Sequence, residues 1–428
     1  MTRPLRFLHV STFFPPYSFG GDAVYLWRLA NALAEDGHLV DIVHCLDSYE
    51  ALAVEPRPIA PPRMHPGVMV HSIHSRFGML SPLVAHQSGR PLLQQVALDR
   101  VVNDKPFDVI HYHNVSLFGP DILRLKSASP SIKLYTAHEY WLVCPTHMLW
   151  KFNSRVCEKP QCLRCMVSQR RPPQLWRYSG LLERAVRHVD QFIAPSRFSI
   201  DIHRERGFTP PIEHLPYFTE IDPTANVEGP PPHPRPYFLF VGRLERLKGV
   251  AELIAGWKEI GVADLAIVGN GTEAAALRAR AAPNPRIRFL GTVAQRDLGA
   301  WYSHAVACIV PSLFNETFGL VTIEAFAHKT PVIARRIGAL TEVIEQSQGG
   351  RLFQTTRELN DAIQELWTQP QLRRELGENG HRSFVSRWSR KEHLSKYYDL
   401  LYRTAARKSV ALASRFSNLS NPPPAVPS

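Results

Sequence analysis

The sequence predicts an α/β protein of two doubly wound, Rossmann-like lobes facing each other across a cleft, and three observations lead there. Short apolar runs bounded by turn residues alternate with stretches of helical apolar spacing, as parallel strands and crossover helices do. The run Glu228-Gly229-Pro230-Pro231-Pro232-His233-Pro234 can hold neither a helix nor a central strand, so it divides the chain near its middle. A length of 428 residues corresponds to two or three domains at about 150 residues each.

The elements follow in order. Residues 6–11 read as a buried strand, 22–35 as a helix ended by Gly37, and 39–44 as the next strand, a βαβ start. Further first-lobe strands are read at 108–113, 132–137 and 192–195. After the linker come strand 237–242, helix 250–260, strand 264–269, helix 273–282 and strand 287–290, then helix 297–303, strand 305–310, helix 320–328 and strand 331–334. Leu394, Tyr397, Leu401 and Ala405 recur at helical spacing, which predicts an amphipathic helix packed on a lobe. The divisions expected are a first domain at 1–222 with a cysteine-rich insertion at 144–165, a linker at 223–236 and a second domain at 237–384. A helix at 385–412 returns to the first domain, and 418–428 forms a disordered tail. Proline clusters at 56–66, 223–236 and 422–427 mark boundaries, and no internal repeat is visible.

Composition bounds the function. Hydrophobic residues at 44% and charged residues at 21% are ordinary for a globular protein, and no apolar run approaches the roughly 18 residues of a membrane span. Six cysteines are too few for a disulfide scaffold, and their clustering points to metal in a reducing compartment, so the cytoplasm is expected. The net charge of +12 is uneven: residues 151–187 hold nine Lys/Arg against two acids, and 384–428 hold eight against two. Charge runs are usually solvated surface, but these fields also favour anionic headgroups, and a peripheral preference for anionic membrane is expected. Nucleic acid is not, because the cations do not form one groove interleaved with aromatics.

Several motifs belong in the cleft, where the carboxyl ends of the strands face each other. The first lobe has glycines only at Gly20-Gly21, just before the helix, which does not match a dinucleotide fingerprint. Gly269-Asn270-Gly271 is read as a tight turn able to approach a ligand. Arg243 follows a strand and Lys248 opens the next helix, so both cations can face a diphosphate. A helix starting near Gly319 offers free N–H groups to an anion. Glu324, about 6 Å further along its axis, can take ribose hydroxyls, and Glu316 can take sugar hydroxyls. Both acids would also favour any helix N-terminal region. His138 ends a first-lobe strand on the cleft side, while His111 and His113 read as structural. Cys144, Cys157, Cys162 and Cys165 present four soft ligands in one loop, suited to a closed, structural tetrahedral zinc; Cys45 and Cys308 read as core.

In this order, Gly-Arg-x4-Lys-Gly, Val-Gly-x-Gly and Glu-x-Phe-Gly-Leu-x3-Glu resemble the retaining glycosyltransferases of family 4, which have the GT-B fold. The resemblance implies that Arg243 and Lys248 contact the diphosphate of a nucleotide sugar, and that Gly319 and Leu320 bind it through backbone amides beside Phe318. Glu324 would then hold the ribose and Glu316 the donor sugar, with Gly20-Gly21 near the leaving phosphate and His138 by donor and acceptor. Glu139 stands where the family commonly has aspartate. A subset of the family shares the His-x-Tyr-Trp-x-x-Cys-Pro start and later cysteines. No Asp-x-Asp occurs, so metal-independent catalysis is expected, with no catalytic cofactor. The expected activity is retaining transfer of a hexosyl group to an acceptor hydroxyl, in polysaccharide, glycolipid or metabolite glycosylation, with a lipid-linked glycan as one acceptor. The alternatives are a GT-B nucleotide-sugar epimerase, which would form product without acceptor, and a zinc-containing nucleic-acid-binding protein, which would show a steep salt dependence.

Overall fold

The computed structural model describes residues 4–53, 63–221, 229–260 and 263–417. Most of the proline boundary read at 56–66, the first part of the linker and the tail read at 418–428 lie outside these.

The first lobe is a seven-stranded parallel sheet in the order β3-β2-β1-β4-β5-β8-β9. Its strands are β1 (Arg6–Val10), β2 (Leu39–Cys45), β3 (Val68–Ile73), β4 (Val109–Tyr112), β5 (Ile132–Thr136), β8 (Gln191–Ala194) and β9 (Ile212–His214); the short hairpin β6 (Trp150–Lys151) and β7 (Arg155–Val156) stands apart. The second sheet has six parallel strands in the order β12-β11-β10-β13-β14-β15. These are β10 (Tyr237–Val241), β11 (Asp264–Val268), β12 (Ile287–Gly291), β13 (Cys308–Val310), β14 (Val332–Arg335) and β15 (Gly350–Phe353). Apart from the extra edge strand β9, both sheets follow the doubly wound 3-2-1-4-5-6 order. Strands β4 and β11 are wholly buried because helices cover both faces, and each Val, Leu or Ile so buried contributes about 1.5–3 kcal/mol.

Several expectations need correction. Lys248 does not open a helix: it ends a 3-10 turn, Arg246–Lys248, and the helix runs Val250–Ile260. Gly249 between them has φ +73°, and a Cβ there would stand 2.1 Å from the Pro311 carbonyl oxygen, so the chain must turn before it can coil. The strand read from 305 begins at Cys308. Edge strand β3 was not anticipated, since Met69 and Val70 are both exposed on it and its apolar residues do not alternate.

Chain crossings join the lobes. Thr219 pairs with Ser389, and Trp388 packs at ring distance from Phe318 and Phe326. Helix Arg390–Lys408 then lies on the first lobe, where Tyr397 meets His111 and His393 meets Tyr25. Its cations are largely committed there: Arg390 pairs with Glu35 and Asp36, Arg403 with Glu213, Lys408 with Asp190, and Arg415 just beyond it with Asp108. Much of the basic excess at the chain end thus fastens this helix to the first lobe. No helix among the described residues is long and apolar enough to cross a membrane.

Candidate active site

The strand order reverses between β1 and β4 in one lobe and between β10 and β13 in the other, and loops at these carboxyl ends meet across a seam. Helices Gly21–Glu35 and Leu320–Ala327 start against each other: a Cβ on Gly21 would lie 3.0 Å from Leu320 Cδ1. Gly20 is the residue before the first of them and Gly319 the residue before the second. Ser196 donates to the Thr317 carbonyl at 2.7 Å, and the Thr317 hydroxyl donates to the His138 carbonyl at 2.8 Å. Glu342 of the second lobe accepts from the free N–H groups of Arg197 and Phe198, so it completes a first-lobe helix N-terminus.

Lys248 Nζ lies 2.6 Å from Glu316 Oε1, which also accepts from the Ser312 hydroxyl at 2.7 Å, and the ammonium sits 5.1 Å from the Phe314 ring centroid. Glu316 is 9% exposed, so its charge depends on these partners; stripping one member from such a pair costs about 3–5 kcal/mol. Arg243, two residues past β10, is exposed. Its loop is held by the turn at Gly271, where a Cβ would stand 2.7 Å from the Leu244 carbonyl oxygen, while Leu244 N–H donates to Asn270 and Glu273 N–H to Leu244. The tight turn read at Gly269-Asn270-Gly271 is present, and Gly271 is required in it by this backbone contact.

Glu324 is held on both oxygens. Arg28 Nη2 lies 2.6 Å from Oε1, across the seam, and the Tyr302 hydroxyl donates to Oε2 at 3.0 Å. Arg28 is 3% exposed, and its Nη1 finds no hydrogen-bond partner among the described residues. Sequence reasoning missed Arg28; the signal was a cation three residues from Tyr25 and four from Ala32, on a stripe that goes inward. It missed Tyr302, Ser312 and Thr317 as well, which carry no motif.

His138 lies two residues past β5, and its ring is fully engaged: Nδ1 lies 2.5 Å from the Tyr217 hydroxyl and Nε2 2.8 Å from His113 Nδ1, whose Nε2 meets His9 Nδ1 at 2.9 Å. Burial pushes the His138 imidazole down to about 4 and His9 down to about 3, so both stay neutral near pH 7. What His138 presents to the second lobe is its carbonyl. His111 is likewise buried, bonded to Tyr397 and Thr136. Phe318 packs edge-on against Tyr217 at 5.2 Å, continuing the core across the seam. The four clustered cysteines line one small cavity, while Cys45 and Cys308 are buried in β2 and β13.

Facing doubly wound lobes with cations and carboxylates gathered at their seam define a glycosyltransferase of the GT-B fold. A family model described as Glycosyltransferase Family 4 matches residues 19–223, and one described as Glycosyl transferases group 1 matches residues 235–369. The chain belongs to glycosyltransferase family 4. D-inositol 3-phosphate glycosyltransferase of Pseudarthrobacter chlorophenolicus is 28% identical over 412 residues, covering 90% of this chain and 91% of its own. The protein of the same name from an Arthrobacter species is 26% identical over 396 residues, 86% and 87% of the two chains. In fold, the chain is similar to sucrose-phosphate synthase from Thermosynechococcus elongatus, with TM-score 0.69 at 21% identity, covering 95% of this chain and 100% of that one. It is also similar to Anabaena HepE in complex with UDP-glucose, with TM-score 0.62 at 17% identity over 93% and 100%.

Proposed function

We propose that this glycosyltransferase moves a hexosyl group from a nucleotide-diphosphate sugar to an acceptor hydroxyl, with retention at the anomeric carbon and with protein cations at the diphosphate. The observation that carries the reading is the Lys248–Glu316 pair beside the start of helix Leu320–Ala327. An incoming diphosphate takes over Lys248 from Glu316, joined by exposed Arg243 and the N–H groups at Gly319 and Leu320, and the freed Glu316 carboxylate turns to the donor sugar's hydroxyls. Glu324, steadied by Arg28 and Tyr302, takes the ribose. The HepE complex with UDP-glucose supports a donor of this class.

Double displacement needs a carboxylate free to attack the anomeric carbon. Once Lys248 moves to the diphosphate, Glu316 is still committed to the Ser312 hydroxyl and to the donor sugar's hydroxyls, and the His138 ring is neutral with both nitrogens bonded. This favours departure and attack on one face, with the leaving phosphate accepting the acceptor's proton.

The test is turnover with UDP, GDP, ADP and dTDP sugars, each first screened by thermal shift; donor at about 100 times Kd adds about 2.7 kcal/mol. Lys248→Ala is expected to cut turnover about 10²–10³-fold, with the product anomer matching the donor by NMR. Near-normal turnover of that variant, or an inverted product, overturns the proposal, and product formed without acceptor assigns an epimerase.

A further inference from the structure

We propose that Cys144, Cys157, Cys162 and Cys165 bind one zinc ion that braces residues 144–171 against the first lobe. The four side chains come from separate pieces of local structure and line one small cavity with Pro145, Thr146 and Trp150. Cys144 ends the loop after Trp141, and Cys157 follows the β6–β7 hairpin. Helix Cys162–Ser168 sets Cys162 and Cys165 on one face, three residues apart. None is in a disulfide.

Three observations favour metal over four ordinary thiols. The segment's core is thin: Cys144 and Leu149 cluster with Tyr140 just before it, Trp150, Cys165 and Met166 are also buried, and Leu163 and Val167 are exposed. Yet it holds His147, Leu149, Phe152, Asn153 and Arg170, five of the seven non-glycine residues with positive φ among those described. Such conformations persist only where the surroundings over-determine them, and small modules with thin cores are commonly held by a metal. Next, two of the four sulfurs already have polar partners: Phe152 N–H and the Gln169 amide point at Cys165 Sγ from 3.4 and 3.3 Å, and the Thr146 hydroxyl lies 3.4 Å from Cys144 Sγ. Partners of this kind orient and stabilise thiolate ligands. Finally, four thiolates on a zinc dication leave a net negative charge, and cations stand around the cavity. Lys151 lines it, Arg206 donates to the Cys157 carbonyl, and Arg177 donates to the Trp141 carbonyl at 2.8 Å. The basic excess of residues 151–187 thereby gains a local counter-charge.

Donor atoms mutually within 4.8 Å occur elsewhere, at His9, His111, His113 and at Asp47, Glu50, His74. The sulfurs therefore stand wider than the roughly 3.8 Å between thiolates on one zinc. Binding draws in the half-buried Cys157 and Cys162 and releases one proton to solvent from each thiol as its Zn–S bond forms. The histidine trio is no rival, because both nitrogens of His111 and His113 are already hydrogen-bonded.

The test uses the full chain purified without chelator or metal-affinity resin, analysed by plasma mass spectrometry and titrated with an organomercurial beside a zinc-binding dye. About one zinc per chain is expected, released as the four cysteines react. Cys162→Ser with Cys165→Ser abolishes stoichiometric zinc, while Cys45→Ser retains it. Should the double variant not fold, the unmodified protein decides. Four thiols titrating without zinc release, a mass showing a Cys162–Cys165 disulfide, or visible absorption from iron would each overturn the proposal.

Discussion

Mild acid is the sharpest probe of the buried imidazoles beneath the seam and around the first sheet. Burial pushes His9 down to about 3, and His44, His138 and His393 down to about 4, from an ordinary value of 6.5. The unfolded chain takes up these protons as pH falls below about 6.5, whereas the folded chain refuses them until about 4. Stability is therefore full above about pH 7 and is lost through that window. At about pH 5.5 each group costs about 1.4 kcal/mol, and the four together about 5–6 kcal/mol, a large part of a typical total of 5–15 kcal/mol. His111 and His113, held well below the usual range by burial and then by neighbouring histidines, act in the same sense. Urea melts at about pH 7 and about pH 5.5 measure the difference, and His44→Gln should remove about 1.4 kcal/mol of it. An unfolding midpoint that is the same at both pH values would refute the reasoning.

Arg28→Met should destabilise by about 3 kcal/mol, because Glu324 is left largely buried with Tyr302 alone, and should raise the donor KM about tenfold. Adding Glu324→Leu should restore most of the stability but not the KM, and thermal melts of the cycle that are simply additive would contradict the pairing. Gly249→Ala should cost more than about 2 kcal/mol in denaturant melts, since a Cβ cannot stand 2.1 Å from the Pro311 carbonyl oxygen at φ +73°. A wild-type melt would show that this turn relaxes freely. Glu342→Ala should cost about 0.5–2 kcal/mol by uncapping Arg197 and Phe198, measured as a lower melting temperature.

Much of the fold was legible because a parallel sheet writes itself as apolar runs at crossover spacing. β10 and β11, buried along nearly their whole length, appear in the sequence as Tyr-Phe-Leu-Phe-Val and Asp-Leu-Ala-Ile-Val. Edge strands β3 and β15 lacked that signal, being only partly covered. In the site, Lys248, Glu316, Gly319 and Glu324 were legible as residues, since their spacing within a loop and a helix start is local. Their partners were not: Arg28 is 296 positions from Glu324, and Ser196 is 121 from Thr317.

By itself the sequence determined two doubly wound lobes, a family, and a set of charged side chains beside a helix start, all consequences of short-range periodicity and turn chemistry. Only the tertiary structure decided that Lys248 rests on Glu316, that Arg28 reaches Glu324, that the His138 ring is spent on Tyr217 and His113, and that the terminal cations fasten a helix. The reason is physical. Which charges meet, and which imidazoles lose water, depends on how distant segments stack across a sheet and a seam, and no local spacing encodes that distance.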